Sequence, residues 1–313
     1  MGENLPRVTA VICTHNRAAL LPAALESLLA QSLPPTDYEI LVIDNASTDE
    51  TPQILQRYLA SVTAVQLRSA VQPILGLSHA RNLAIELAAG DIIAFMDDDA
   101  VAGTEWLAAL LETYQLAPHA WAVGGKVLPL WEVPRPDWLQ DRWLGQLSLL
   151  DLGDQILQLA PPRALYGVNC SFRRSVFAAL GLFRTDLGRR ASQLWGSEES
   201  ELQARIRQHG GAILYNPQAQ VWHAVPASRL RRRYFVRLAY YKGRDRVRLM
   251  ILQSTRPHLL WRSLHNGLSV GHQWLRLCLA PLDSTRQLQA LCATAGWAGF
   301  LVEMVHVALG PSS

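Results

Sequence analysis

The sequence predicts an α/β protein: a largely parallel sheet with helices on both faces, followed by a helical C-terminal region. Three observations predict it. Short β-branched runs alternate with leucine-rich stretches of helical period through the first hundred residues, which is the pattern of successive βα units. Half of the 313 residues are apolar and 18% are charged, a balance that suits a sheet covered on both faces and excludes a disordered chain. From Ser228 onward the pattern is helical throughout, so a boundary is expected near residue 225, between a domain over 1–225 and an arginine-rich amphipathic region over 226–313.

The first element is RVTAVIC, a β-branched run ending at polar THNR, and AALLPAALESLLAQ after it carries leucines at helical spacing. EILVIDNASTDETPQILQRYL repeats the scheme: an apolar strand reaches Asp44, a loop of turn and capping residues follows, and a helix starts near Thr51 and Pro52, where proline fits the first turn. VTAVQLRS is a third strand, GLSHARNLAIELAAG a helix closed by Gly90, and DIIAFMDDDA a fourth strand running into three acids. Residues from WEVPRP to about Pro162, rich in tryptophan and proline, read as an insertion over the site. YGVNCSFRRSVFAALGLF reads as strand then helix, and WGSEESELQARIRQHGG as a loop feeding a helix. In such sheets ligands bind outside the carboxyl ends of the strands, where THNR, DNASTD and DDD all fall.

The net charge of +3 is unevenly spread: carboxylates gather before Glu201, and arginines crowd residues 229–248. Arginine keeps its charge and grips phosphate in a bidentate fork, which suits phosphate-bearing ligands or an anionic lipid surface, with codon bias as the plain alternative. Cys13, Cys170, Cys278 and Cys292 are scattered, without the spacing of a zinc site or redox pair, and a reduced, cytosolic compartment is expected. MGENLPRVTAVICTHNR has no secretory pattern. The stretch LCATAGWAGFLVEMVHVALG is barely span-length and is interrupted by Glu303 and His306. With Leu288, Leu291, Cys292, Ala295, Ala298, Leu301, Val302 and Val305 near one face, it is expected to be an amphipathic or core helix rather than a span.

Three adjacent carboxylates at the end of a buried strand, Asp97, Asp98 and Asp99, repel one another. A hard divalent ion, Mg2+ or Mn2+, would relieve them and bridge them to substrate phosphates; the other reading is a solvated acidic turn. Asp44 and Asn45 close the second strand, where they either hydrogen-bond a base or ribose or form an Asx turn, while Ser47, Thr48 and Asp49 read as caps.

VICTHNRAALLPAALESLLAQ, VIDNASTDET, GLSHARNLAIELAAGDIIAFMDDD, GVNCSFRRSVFAALGLF and GSEESELQARIRQHG together resemble the family 2 glycosyltransferases of the GT-A fold, in order and spacing, across roughly residues 7–224. The resemblance implies that Thr14, His15, Asn16 and Arg17 lie against the nucleotide and that Asp44, beside Asn45, reads the base. It implies that Arg81 stands near the diphosphate, and that Asp97 to Asp99 form the DxD-type metal motif, with Asp99 the first ligand and Asp97 and Asp98 at metal or ribose. The family's catalytic base is the acid of an ED-type pair opening a late helix. Glu198 and Glu199 stand there, with Glu199 preferred and Glu198 or Glu201 left to complement the helix dipole. Asn169 is expected to line the donor or acceptor pocket, Trp195 either to stack on an acceptor sugar or to serve as core or lid, and His223 either to approach the metal or to be structural.

The activity implied is an inverting, metal-dependent transfer from a nucleotide-diphosphate sugar, UDP leading, to a saccharide or lipid-linked acceptor in polysaccharide biosynthesis. The alternative is a catalytically degenerate binding protein. The chain is expected to be cytoplasmic, with peripheral contact to the inner face of the plasma membrane through 229–248 as one reading of the arginines and a solvated helix as another. No nucleic-acid-binding motif is present. The glycine-rich loop of a sugar-nucleotide pyrophosphorylase or a dinucleotide dehydrogenase is missing after the first strand, where THNR has no glycine.

Overall fold

The computed structural model describes residues 6–189, 196–253 and 284–309. The strands are β1 (Val8–Thr14), β2 (Tyr38–Asp44), β3 (Gln66–Val71), β4 (Ile92–Asp97), β5 (Ala100–Ala102), β6 (Ala120–Trp131), β7 (Leu157–Gln158), β8 (Asn169–Arg173) and β9 (Ala212–Val225). The helices are α1 (Leu21–Leu29), α2 (Thr51–Ser61), α3 (Leu77–Leu87), α4 (Trp106–Leu116), α5 (Arg174–Leu180), α6 (Glu198–Gln208), α7 (Arg232–Gln253) and α8 (Ser284–Leu309).

The sheet order is β3-β2-β1-β4-β8-β6-β9-β5, with β7 on β9. The first four strands are parallel, and their register sets Thr14 beside Asp44, Asp44 beside Val71, and Cys13 beside Asp97. Their carboxyl ends therefore form one edge. Beyond β4 the sheet turns antiparallel through β8, and β5 pairs antiparallel with β9 so that Ala100 faces His223. That pairing carries a histidine from late in the chain to the acids that follow β4. The central strands β1 and β2 are buried on both faces and β3 is half exposed, as expected for covered strands beside an edge.

Pro22 and Pro52 occupy the first turns of α1 and α2, where a missing N–H breaks no bond. Gly90 does not close α3, which ends at Leu87. A Cβ at Gly90 would lie 2.6 Å from the Thr9 amide nitrogen, so close approach to β1 is what requires glycine there. Under the sheet, Phe95, Phe172, Phe177 and Phe183 meet edge-on or tilted with centroids 5.6–6.3 Å apart, contacts of about 0.5–1.5 kcal/mol each beyond their buried area. The sequence reading passes over α4, β6 and β9; the alternation of β6 is interrupted by Gly124, Gly125 and Pro129, and that of β9 by Asn216 and Pro217.

The described residues pack as two compact units, one of 6–130, 148–189 and 198–224, the other of 131–147, 196–197, 225–253 and 284–309. The tryptophan- and proline-rich segment is thus divided. Its first part joins the second unit, where Trp138 and Trp143 meet the ring of Phe235 edge-on.

In the second unit α7 and α8 touch backbone to backbone. A Cβ on Gly243 would collide with the Gly296 carbonyl, and one on Gly299 with that of Tyr240. Glu303, 1% exposed, accepts from Arg248 Nε on one oxygen and from Arg244 Nε on the other, both at 2.7 Å. Two sequence expectations change here. The arginines of 229–248 are not all on one solvated helix: Arg229 lies in a turn ahead of α7, and Arg244 and Arg248 face the buried Glu303. The apolar face of α8 is not the covered one either: Leu288 and Cys292 are buried, but Leu291, Leu301, Val302 and Val305 are exposed, because the paired glutamate takes the inner side.

Candidate active site

The loops after β1 and β2 are stitched together at the carboxyl edge. Asn16, at φ 53°, accepts through Oδ1 from the Thr48 and Asp49 amides at 2.7 and 3.3 Å, and its own amide donates to Ser47 Oγ at 3.0 Å. The Ala18 amide donates to Asp49. Ser47 and Thr48 thus bind the neighbouring loop, while Asp49 also accepts from the Thr51 amide at 3.0 Å in the first turn of α2, as a cap does. His15 Nδ1 lies 2.8 Å from the Asn45 carbonyl. Thr14 is buried, and the Arg17 guanidinium, 40% exposed, reaches to 3.8 Å from Asp98 and 3.9 Å from Asp99.

Asp44 Oδ1 accepts from the Ser47 amide at 3.0 Å, a turn contact that engages one carboxylate oxygen. Asn45 departs from the nucleotide-contact expectation. Its amide nitrogen donates to the Gln72 and Ile74 carbonyls and its oxygen accepts from Gly76, so all of it holds the loop after β3.

Asp97, Asp99 and His223 converge, with one ligand atom from each lying within 4.8 Å of the others. His223 Nε2 stands 3.2 Å from Asp99 Oδ1. Two carboxylate oxygens and an imidazole nitrogen are a donor set that fits a divalent cation. Burial, then the charge of Asp99, pushes the Asp98 carboxyl up to about 7, against the pull of Arg17.

Arg81 is the hinge of the arrangement. It is 2% exposed, lies 2.7 Å from Glu198 and 3.6 Å from Asp97, and rests its guanidinium over the rings of Phe95 and Phe183 at 5.7 and 5.6 Å. A Cβ on Gly167 would strike it. It joins the acids after β4 to the acids that open α6, in one site. Two carboxylates and two aromatic rings enclose the guanidinium.

Glu198, the second acid of the pair beside the preferred Glu199, is 3% exposed and paired with Arg81. Burial, then the charge of Glu199, raises its carboxyl above the ordinary range, only partly offset by Arg81. Glu199 is partly buried, and its Oε2 is buried without a hydrogen-bond donor, as is Oε2 of Glu198. A buried acceptor without a donor is costly unless something docks on it.

Asn169 does not line a pocket. Its Oδ1 accepts from Trp106 Nε1 at 2.9 Å and its Nδ2 donates to the Lys126 and Ala219 carbonyls, which knits β8 to its neighbours. Trp195 lies outside the described residues. Sequence reasoning missed Gln203, which brackets Leu165 by donating to its carbonyl and accepting from its amide, at 2.9 and 2.8 Å. Through Gln203 the segment carrying Gly167 is fastened to the helix carrying Glu199. Its spacing of four from Glu199 was the one available signal.

The profile of Glycosyl transferase family 2 matches residues 9–181. The chain belongs to that family. Among curated relatives, this glycosyltransferase is 31% identical over 242 residues to the glucosyl-dolichyl phosphate glucuronosyltransferase of Haloferax volcanii, covering 76% of this chain and 75% of that one. It is 27% identical over 262 residues to the succinoglycan biosynthesis protein ExoM of Rhizobium meliloti, covering 83% and 80%. Among solved structures it resembles the mannosyltransferase PcManGT of Pyrobaculum calidifontis in complex with GDP-Man and Mn2+, at TM-score 0.62 and 21% identity, over 99% of this chain and 77% of that one. GalNAc-T7 with UDP, GalNAc and Mn2+ matches at TM-score 0.57 and 19% identity, over 78% and 51%. These likenesses establish the GT-A fold.

Proposed function

We propose that this glycosyltransferase is metal-dependent and inverting, taking a sugar from a nucleotide-diphosphate donor, UDP leading, to a saccharide or lipid-linked acceptor. The single observation that carries the reading is the bridge made by Arg81, which holds Asp97 of the acid and histidine cluster and Glu198 of the acid pair in one site. Two structural neighbours are described with Mn2+ and a nucleotide, and the relative from Haloferax is named for a dolichyl phosphate acceptor.

Asp97, Asp99 and His223 would hold Mg2+ or Mn2+, which when bound supplies Lewis-acid stabilisation of the departing nucleoside diphosphate. Glu199 accepts the proton of the acceptor hydroxyl, whose oxygen attacks the anomeric carbon from the face opposite the leaving diphosphate. Arg81 holds Glu198 in place at 2.7 Å, next to Glu199. Arg17, half-buried beside Asp98 and Asp99, is a cation available to a phosphate. The reading also makes the protein cytoplasmic and peripheral on the inner membrane face.

The test is calorimetric titration with UDP, dTDP and GDP, with and without Mn2+, on wild type and Asp99→Ala. Metal-dependent binding of one nucleotide, abolished in the variant, is the expected result and names the donor class. Absence of binding by any of them overturns the catalytic reading in favour of a degenerate binding protein.

A further inference from the structure

Helix α8 wears its polarity inside out. Its single acid, Glu303, is buried and matched on both oxygens by Arg244 and Arg248. Its outward side carries Leu291 at 50% exposure, Val302 at 46% and Val305 at 57%, with Leu301 beside them. Residues 291, 298, 301, 302 and 305 share one side of a 3.6-residue helix and contain no charge. From Leu291 to Val305 this stripe runs about 21 Å. A soluble helix buries such a stripe and shows its acid to water.

The segment Arg286–Ala308 is also long and apolar enough to cross a bilayer, but its partner argues against crossing. Helix α7 lies along it at glycine contact distance and carries Lys242, Asp245 and Arg246 beside the two paired arginines. A spanning α8 would draw those charges toward mid-bilayer at several kcal/mol each by order of magnitude. A helix lying in the membrane plane, apolar side down and α7 on the water side, incurs no such cost.

We infer that α8 is an interfacial membrane helix whose face of Leu291, Leu301, Val302 and Val305 dips into the acyl boundary of an anionic bilayer. Charge complementarity selects the bilayer as occupant: Arg231, Arg232, Arg233, Arg237 and Arg246 of the same unit are exposed, and clustered arginines favour anionic headgroups. The inference deepens the peripheral-membrane part of the proposed function and rests on it only for the presence of a membrane. It assigns insertion to α8 and leaves electrostatic attraction to the arginines of 229–248.

The experiment is flotation of the full-length protein with phosphatidylcholine vesicles, with and without phosphatidylglycerol, at low and high salt. Wild type is expected to float with the anionic vesicles and to keep part of that binding at high salt. The triple variant Leu301→Gln, Val302→Gln, Val305→Gln is expected to lose roughly tenfold or more of it at unchanged helicity and unchanged nucleotide binding, which separates failure here from failure of the catalytic reading. Should the triple variant misfold, a fluorophore on Val302→Cys gives the second readout: quenching by nitroxides at shallow acyl depth supports the inference. Quenching strongest at the bilayer centre overturns it in favour of a span. Failure of wild type to float, undiminished flotation of a folded triple variant, or a dimer in light scattering that the triple variant dissolves would each overturn it as well.

Discussion

Both units bury a glutamate against arginine, and the two burials are opposite in kind. In the second unit one carboxylate, Glu303, meets two guanidiniums and each oxygen has its donor. In the first unit one buried guanidinium, Arg81, faces Asp97 and Glu198 with Glu199 beside them, and an oxygen of each glutamate is left without a donor. The difference teaches that burial of a charge does not mark a site of chemistry by itself. What marks it is a carboxylate excess that the fold leaves for something else to complete.

The widest gap should open on substituting the glutamates. Glu199→Gln is expected to lower turnover by about 10^2 to 10^4-fold, the range for losing a general base, with donor binding and melting temperature unchanged or slightly raised because an unmatched carboxylate is gone. Radiolabelled-sugar transfer and thermal denaturation read both, and a variant that keeps full turnover would break the assignment. Removing the arginine side of the same cluster should act on stability instead. Arg81→Met leaves the buried Glu198 unpaired and should cost about 3–5 kcal/mol, seen in denaturant unfolding and eased when Glu198→Gln is added.

Glu303→Gln should cost less, up to about 3 kcal/mol, because Arg244 and Arg248 remain 20% and 26% exposed and can turn to water. Its effect should fall on α7 and α8, followed by hydrogen exchange, and should spare nucleotide binding.

Opposite pH slopes would sharpen the contrast further. The Glu198 carboxyl is raised, by burial first and then Glu199. Its stabilising protonation is complete below the unfolded value and is lost as pH rises through the folded one. Glu303 runs the other way. Burial alone would raise it, but hydrogen bonds from Arg248 and Arg244 bring it below its ordinary value, so its contribution is present above the unfolded value and lost as pH falls through the folded one. Each proton contributes a slope of at most about 1.4 kcal/mol per pH unit. Melting curves across acidic to mildly basic pH should therefore flatten on the basic side in Glu198→Gln and on the acid side in Glu303→Gln. The smallest effect expected is that of metal: Mn2+ at about a hundred times its dissociation constant should stabilise wild type by about 2.7 kcal/mol, and His223→Ala should reduce that gain in differential scanning fluorimetry.

Much of this was written in the sequence. The alternation of β-branched and leucine-rich runs determined β1 through β4 with their helices, since hydrophobic period is a local property that survives in any context. The same runs ended in THNR, DNAS and DDD, so parallel pairing was bound to gather those polar ends on one edge. The family and the metal role of Asp97 and Asp99 followed from resemblance, while His223 was left open until the pairing of β5 with β9 set it beside them. Tertiary structure alone decided what each side chain had left to offer. That Asn45 and Asn169 are fully engaged, that Arg81 is enclosed by Phe95, Phe183 and two acids, and that Glu198 differs from its neighbour Glu199 depend on contacts between residues up to 117 positions apart. So does the inversion of α8, where a sequence shows one acid in an apolar helix but not the two arginines, more than fifty residues earlier, that let it turn inward. Hydrogen-bond capacity and charge matching are properties of the assembled interior, and a linear pattern carries no record of which partner has already been found.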